Sequence, residues 1–194
     1  MKISRSLALF LTAATFSGSP ALAQGPDWTG YYAGLNVGST TDGGITYIYN
    51  GSPGDSYDFD SSMGFGVFGG AVYGTGNFLW GFEASAQAVD YMASNTAKLT
   101  TMFDLKIRGG AAADQWFYYG FVGASAGDWD NNNGLTNPIA TGYNVGFGAD
   151  YAINDRFFAG GEYIYRSMDT DFEENDNGVE QEFGVIQLRV GMRF

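Results

Sequence analysis

The sequence predicts an all-β fold, an eight-stranded antiparallel up-and-down transmembrane β-barrel. Three observations predict it. The last residues alternate strictly: Ile186, Leu188, Val190, Met192 and Phe194 form an apolar row, and Gln187, Arg189, Gly191 and Arg193 a polar or glycine row. Neighbouring side chains of a strand point to opposite faces, so one face is apolar throughout. Stretches of this kind recur along the chain, separated alternately by tight turns and by long polar segments. The chain also opens on an export signal.

That signal comes first in order. Lys2 and Arg5 precede an apolar run from Leu7 to Phe16, and Ala21-Leu22-Ala23 follows Pro20. A basic end, a short apolar core and a small-x-small site mark a secretory leader, cut after Ala23. Residues 1–23 are then the leader and 24–194 a single barrel domain.

Composition removes several function classes. Cysteine and histidine are both absent. No disulfide or thiol chemistry is available, and the usual general base and commonest metal ligand are missing. The net charge is −12, and loss of the leader makes it more negative, which argues against nucleic-acid phosphates as partners. No later stretch approaches the roughly 20 apolar residues of a membrane helix, but a tilted barrel strand needs only about 9–11.

The first strand spans Trp28 to Gly38, with Tyr31, Ala33, Leu35 and Val37 on one face and Gly30, Tyr32, Gly34, Asn36 and Gly38 on the other. Ser39 to Asp60 reads as a polar loop. The second strand, Ser61 to Gly74, sets Met63, Phe65, Val67, Gly69, Ala71 and Tyr73 against a glycine-rich row. Thr75-Gly76-Asn77 is a tight turn. In the third, Phe78 to Val89, the row Phe78, Trp80, Phe82, Ala84, Ala86 and Ala88 opposes Gly81, Glu83, Ser85 and Gln87.

Asp90 to Lys98 reads as a loop. The fourth strand, Leu99 to Ala112, sets Leu99, Phe103, Leu105 and Ile107 against Asp104, Lys106 and Arg108. Ala113-Asp114-Gln115 is a second tight turn. The fifth strand, Trp116 to Gly127, has less distinct faces; the expectation is Phe117, Tyr119, Phe121 and Gly123 outward. Asp128 to Ala140 reads as a loop. The sixth, Thr141 to Ile153, alternates clearly, with Tyr143, Val145, Phe147, Ala149 and Tyr151 on one face. Asn154-Asp155 is the third tight turn. The seventh, Arg156 to Met168, sets Phe157, Ala159, Gly161, Tyr163 and Tyr165 against Phe158, Gly160, Glu162, Ile164 and Arg166. An acidic loop, Asp169 to Glu180, precedes the closing strand.

Short turns at one end and long loops at the other are the outer-membrane barrel pattern. The polar rows collect Glu83, Asp104, Lys106, Arg108, Glu162, Arg166, Gln187, Arg189 and Arg193 mid-strand among many glycines. In a soluble barrel these would face water. In a membrane barrel they enter a narrow lumen, where signs balance and small residues relieve crowding. Aromatics on the apolar face support the membrane orientation. Trp28, Phe78, Trp80, Trp116, Phe117, Phe157 and Phe194 lie near the turn end, and Tyr91, Trp129, Tyr143 and Tyr165 near the loop end, as two interfacial girdles. An eight-stranded interior is just wide enough for side chains to fill.

The chain resembles the OmpA-like or opacity-like outer-membrane β-barrel domains, the porin-family outer-membrane proteins. The resemblance rests on Trp28 to Gly38, Gly66 to Tyr73, Trp80-Gly81-Phe82-Glu83, Leu105 to Gly110 and Arg189 to Phe194. It implies an integral protein of the bacterial outer membrane, in contact with outer-membrane lipid and lipopolysaccharide. It also implies that the terminal aromatic Phe194, with Val190 and Met192, is the signal read by the barrel-assembly machinery. Unlike full OmpA, no peptidoglycan-binding domain is expected after the barrel. The family is functionally varied, so the resemblance says more about location than activity.

No cofactor or metal is expected. Asp128 to Gly134 resembles a calcium loop, but its glycine falls one place late and Ile139 stands where the bidentate acid belongs. Glu162 and Asp104 are the pair to weigh for acid–base hydrolysis; neutralisation by neighbouring cations is the better reading, and no enzyme is expected. The first function class is therefore a structural barrel with acidic extracellular loops, supporting envelope integrity and surface contact. The alternative is a narrow channel for small solutes, lined by the polar row. Any surface ligand stays unspecified.

Overall fold

The computed structural model describes residues 26–49, 52–58, 62–94, 97–131, 139–172 and 177–194. The expected leader, 1–23, and the start of the domain lie outside them. Among the described residues every regular element is a strand: β1 (Gly30–Tyr49), β2 (Ser52–Asp58), β3 (Met63–Thr75), β4 (Phe78–Ser94), β5 (Ala97–Ala113), β6 (Trp116–Asn131), β7 (Ile139–Ala152), β8 (Phe157–Phe172) and β9 (Asn177–Arg193). Each pairs antiparallel with its neighbours. β2 lies on the upper half of β1 (Gly44 opposite Asp58) and β3 on the lower half (Tyr31 opposite Ala71). Together β2 and β3 make one stave, so nine segments build the eight-stranded barrel. β9 closes it on β1, from Tyr32 opposite Arg193 to Ile48 opposite Gly178. Closure is required because hydrocarbon offers no partner for a strand edge.

The hairpin turns follow from backbone chemistry. Thr75 pairs with Phe78 around Gly76-Asn77, and Ala113 with Trp116 around Asp114-Gln115. The first turn residue has positive φ in both, +69° at Gly76 and +52° at Asp114. Glycine and aspartate tolerate that region, and such turns match the twist of the flanking strands. In the third turn Asn154 Oδ1 accepts from the amides of Arg156 and Phe157, both at 2.9 Å.

The outer face is apolar over a band whose strand lengths match the roughly 9–11 residues a crossing needs. It runs from Met63 to Tyr73 on β3, Phe103 to Ala111 on β5, Tyr143 to Ile153 beyond β7 and Ile186 to Phe194 along β9. Thr101, Asp128, Ser167, Asp169, Glu180 and Glu182 take over directly above it. At the turn end the rings cluster: Tyr73 with Trp80 at 5.3 Å, and Trp116 with Tyr118 at 5.8 Å and Tyr151 at 4.9 Å.

Three expectations are corrected. On β6 the faces are reversed. Phe117, Tyr119 and Phe121 are at most 5% exposed inside the barrel, whereas Tyr118 and Val122 are more than half exposed outside. Both rows of this strand are aromatic, so polarity alone could not phase it; Ser125, in register with the inner row, was the usable sign. Trp28 is not a girdle residue either. It is buried beneath the lumen, 5.7 Å from Phe117 and 6.1 Å from Phe158, so two expected girdle members, Trp28 and Phe117, plug the barrel instead. The side chains of Tyr91 and Trp129 lie outside what is described.

The third correction concerns the expected loops. Ser39–Asp60, Asp90–Lys98, Asp128–Ala140 and Asp169–Glu180 are largely strand where described, because ladder pairing continues above the apolar band. Above it, among the described residues, β2 continues on β1, β4 beyond Val89 on β5, and β8 beyond Asp169 on β9.

Candidate functional site

The site is the barrel interior, built in layers. Nearest the turns, Trp28, Phe117, Phe158, Phe68, Val72 and Leu79 pack into an aromatic and aliphatic layer. Glycines make room for it. A side chain on Gly70 would collide with the Tyr32 ring and the Phe82 carbonyl, and one on Gly191 with the Phe158 ring. Arg193 fastens the segment beneath. Its Nη1 donates to the Asp27 carbonyl and its Nη2 to that of Asn154, both at 2.7 Å, and its guanidinium lies 4.6 Å from the Trp28 ring. Asp27 also accepts from the Thr29 amide (2.9 Å) and hydroxyl (2.7 Å). Those two donors, with Arg193 nearby, hold its carboxyl below its ordinary value of 3.8.

The middle layer is ionic. Glu83 on β4 gathers three cations: Arg189 Nη2 at 2.6 Å, Arg108 Nη1 at 2.7 Å and Lys106 Nζ at 3.3 Å. Glu162 on β8 accepts from Lys106 at 2.8 Å and from Arg189 Nη1. Asp150 on β7 accepts from Arg108 Nη2 at 3.0 Å and lies 3.4 Å from Arg189 Nε. Tyr32 donates to Glu83 at 3.0 Å and Tyr119 to Glu162 at 2.9 Å. Arg189 also stacks 3.9 Å from the Phe68 ring centre, and Arg108 3.9 Å from Tyr119. Three carboxylates thus face three cations, every one almost wholly buried.

Register explains how so many long side chains fit. Arg108 sits across from Gly81, Lys106 from Gly123, Arg189 from Gly160 and Glu162 from Gly148. Each of these four has a glycine as a cross-strand neighbour, which accounts for the glycines of the polar row, whereas Arg166 lies between Asn144 and Phe183.

A second, smaller group lies above. Arg166 grips Asp104 through Nη2 at 2.6 Å and Nε at 3.1 Å. Ser125 and Ser85 donate to the same carboxylate at 2.7 and 3.1 Å, and Gln87 at 3.4 Å. Met102, Ile164, Met168, Phe183, Val185 and Val179 then fill the barrel toward the loop end.

The structure places all nine expected lumen residues inside, Gln187 beside Glu162 at 3.4 Å and the eight charged ones in three groups. Glu83, Lys106, Arg108, Glu162 and Arg189 share the central cluster, Asp104 and Arg166 form the upper pair, and Arg193 stands apart on backbone carbonyls. Glu162 and Asp104 belong to different clusters, each with its own cations, which removes the geometry of paired carboxylates working on one substrate. Asp150, Tyr32 and Tyr119 were not foreseen as members. Asp150 sits on the inward row of its strand next to a turn, a position whose sequence pattern fits a solvent-facing acid just as well. Val190 and Phe194 are exposed on the apolar outer face and Met192 is half-buried.

An apolar outer belt around a filled, charge-balanced interior defines an integral outer-membrane β-barrel. The chain belongs to the outer membrane protein beta-barrel domain family, whose model matches residues 8–194. Its fold is similar to OprG of Pseudomonas aeruginosa, at 13% identity over 88% of this chain and 98% of that one, with a TM-score of 0.52. It is similar to Neisserial surface protein A, at 13% identity over 86% and 98%, with a TM-score of 0.51. A weaker likeness, TM-score 0.45 at 14% identity over 85% and 99%, links it to Ail, the attachment invasion locus protein of Yersinia pestis. No curated protein sequence matches the chain.

Proposed function

We propose that this chain is a structural outer-membrane barrel, one that strengthens the envelope and presents an acidic surface at its loop end, rather than a solute pathway or an enzyme. The observation that carries the reading is the filling of the lumen. Apolar layers lie below and above the ionic groups, and every member of the central cluster meets at least one opposite charge. Opening a path would separate buried ion pairs, at a cost of several kcal/mol per unpaired charge. The acids in the polar strands above the apolar band suit a hydrated surface in contact with lipopolysaccharide and other outer-membrane lipid. Phe194, with Val190 and Met192, forms the terminal signal recognised by the barrel-assembly machinery in this reading.

The experiment is single-channel recording of the purified protein in planar bilayers. Insertions with no current steps are the expected outcome. Reproducible steps that change on Arg189→Gln would instead assign the ionic cluster to a narrow solute channel.

A further inference from the structure

Midway along the lumen, three amide side chains are buried with polar atoms left over. Asn36 on β1 is 5% exposed, and neither its Oδ1 nor its Nδ2 meets a hydrogen-bonding atom among the described residues. Gln87 on β4 and Gln187 on β9 are buried as well, and their Oε1 atoms are likewise unpaired among those residues. Chemistry fixes the orientation of both glutamines. Gln187 donates through Nε2 to Glu162 and Gln87 through Nε2 to Asp104, each at 3.4 Å. An ionised carboxylate only accepts, so each amide turns its carbonyl oxygen away from its acid.

Register brings these atoms together. Asn36 stands opposite Arg189 on one side and Gly66 on the other, and Gly66 stands opposite Gln87. Gln87 fills the place that Gly66 leaves open: its Cγ lies 2.6 Å from where a Cβ on Gly66 would stand. Directly opposed side chains begin about 4.5–5.5 Å apart, so Gln87 reaches across the glycine toward Asn36. Gln187 faces Gly38, the next inward residue of β1 after Asn36, and its Cβ comes 3.6 Å from that glycine's Cβ position. Two long amides therefore lean over two glycines on either side of a short one. One is tied to Glu162 in the central cluster, the other to Asp104 in the upper pair.

The left-over atoms are the Asn36 amide nitrogen and three carbonyl oxygens. A cation among them would sit beside Arg189, the cross-strand neighbour of Asn36. An anion would face three acceptors. Water supplies donors and acceptors together, and a buried water typically makes about three hydrogen bonds to polar groups that the protein leaves unpaired. Burying such groups dry is strongly unfavourable. Apolar layers lie toward both ends of the barrel, so water held here is cut off from solvent.

We propose that Asn36, Gln87 and Gln187 hold internal water that links the two ionic groups. The path runs from Glu162 through Gln187, the water at Asn36 and Gln87 to Asp104. It joins into one hydrogen-bonded network two groups that no ion pair connects among the described residues. The inference concerns the hydration of the lumen and not its conductance.

The test uses deuterated protein refolded in nanodiscs, with its amides back-exchanged in ordinary water. Cross-peaks at the water frequency are read at the side-chain amides of Asn36, Gln87 and Gln187 in paired NOE and ROE experiments. All three should show cross-peaks of opposite NOE and ROE sign, the mark of a long-lived water. Asn36→Leu, which fills the gap with apolar volume, should abolish those at Gln87 and Gln187. Gln87→Met should shift the Gln187 side-chain amide resonance, and that shift should vanish in the Asn36→Leu background.

Ser85→Ala removes a hydroxyl that donates to the same carboxylate as Gln87 and should leave the cross-peaks unchanged. Their loss would assign them to exchanging hydroxyl protons and overturn the proposal. Absence of water cross-peaks in the wild type overturns it whatever the variants do, and so does direct hydrogen bonding between the three amides in a crystal structure. Equal NOE and ROE signs would mean freely exchanging solvent and overturn the enclosed site. Gel mobility shows that each variant forms the barrel, so loss of the water stays separate from loss of the fold.

Discussion

Replacing Glu83 by Gln keeps the shape of the side chain and removes one charge from the centre of the barrel. Glu83 is 1% exposed, and Arg189, Arg108 and Lys106 lie at 2.6, 2.7 and 3.3 Å. The cluster would pass from three carboxylates on three cations to two on three. Removing one partner of a buried pair costs about 3–5 kcal/mol, because the surviving charge is stranded in a low dielectric. That is a large part of the roughly 5–15 kcal/mol that holds a typical protein folded. Urea unfolding in phosphocholine vesicles, followed by tryptophan fluorescence and gel mobility, measures it. Adding Lys106→Met restores the balance of signs, leaving Arg108 and Arg189 against Asp150 and Glu162. Most of the loss should then return, since exchanging a buried pair for apolar volume is close to neutral. A loss under about 1 kcal/mol for Glu83→Gln, or a double variant no better than the single, would refute the reasoning and mean that water or small ions already screen the cluster.

Other outcomes follow from the same geometry. Detergent-extracted protein should run as two bands, unboiled and boiled, because a closed barrel has no edge from which to unravel; one unshifted band would contradict closure. Gly70→Val should lower folded yield in refolding trials, as its Cβ would strike the Phe82 carbonyl and the Tyr32 ring, and overpacking typically costs about 1–3 kcal/mol even where side chains can yield. Deleting Phe194 should leave export intact and reduce membrane insertion, read as periplasmic accumulation; an unchanged membrane yield would remove the assembly-signal role. Asp27 is depressed in the folded state, so its contribution is present above 3.8 and lost as pH falls through the lower folded value. The Thr29 amide resonance should titrate with a midpoint below 3.8, and a midpoint at or above it would deny the bonds from Thr29.

Alternation made most of the barrel legible in the sequence. Where one row is apolar and the other glycine or charged, as on β5, β7 and β9, strand, face and neighbour follow together, because lipid and a crowded lumen select opposite compositions. The β6 phase was illegible because the lumen near the turns is filled by rings, so inner and outer rows look alike. Trp28 misled for a related reason: an aromatic at a strand start suits an interfacial girdle and a plug equally, and Arg193, 4.6 Å from its ring, decides between them from far along the chain. The polar stretches read as loops because strands above the membrane no longer need an apolar face, so their composition resembles that of turns while their ladders continue. Within the site, the residue types were visible as a row, but the partition into a six-charge cluster, an upper pair and a lone clasp depends on cross-strand register, which spacing along one strand does not encode.

The even count of signs within the two ionic layers bears on the barrel's electrical behaviour. Glu83, Asp150 and Glu162 face Lys106, Arg108 and Arg189 within one layer, and Asp104 faces Arg166 in the next. A transmembrane potential of 100 mV acts on a single mobile charge with about 2.3 kcal/mol. It pulls the two halves of a neutral, interlocked pair in opposite directions, so the net displacement energy is close to zero. Such a barrel carries almost no gating charge, and its interior should stay indifferent to voltage whatever the ionic conditions at its two mouths.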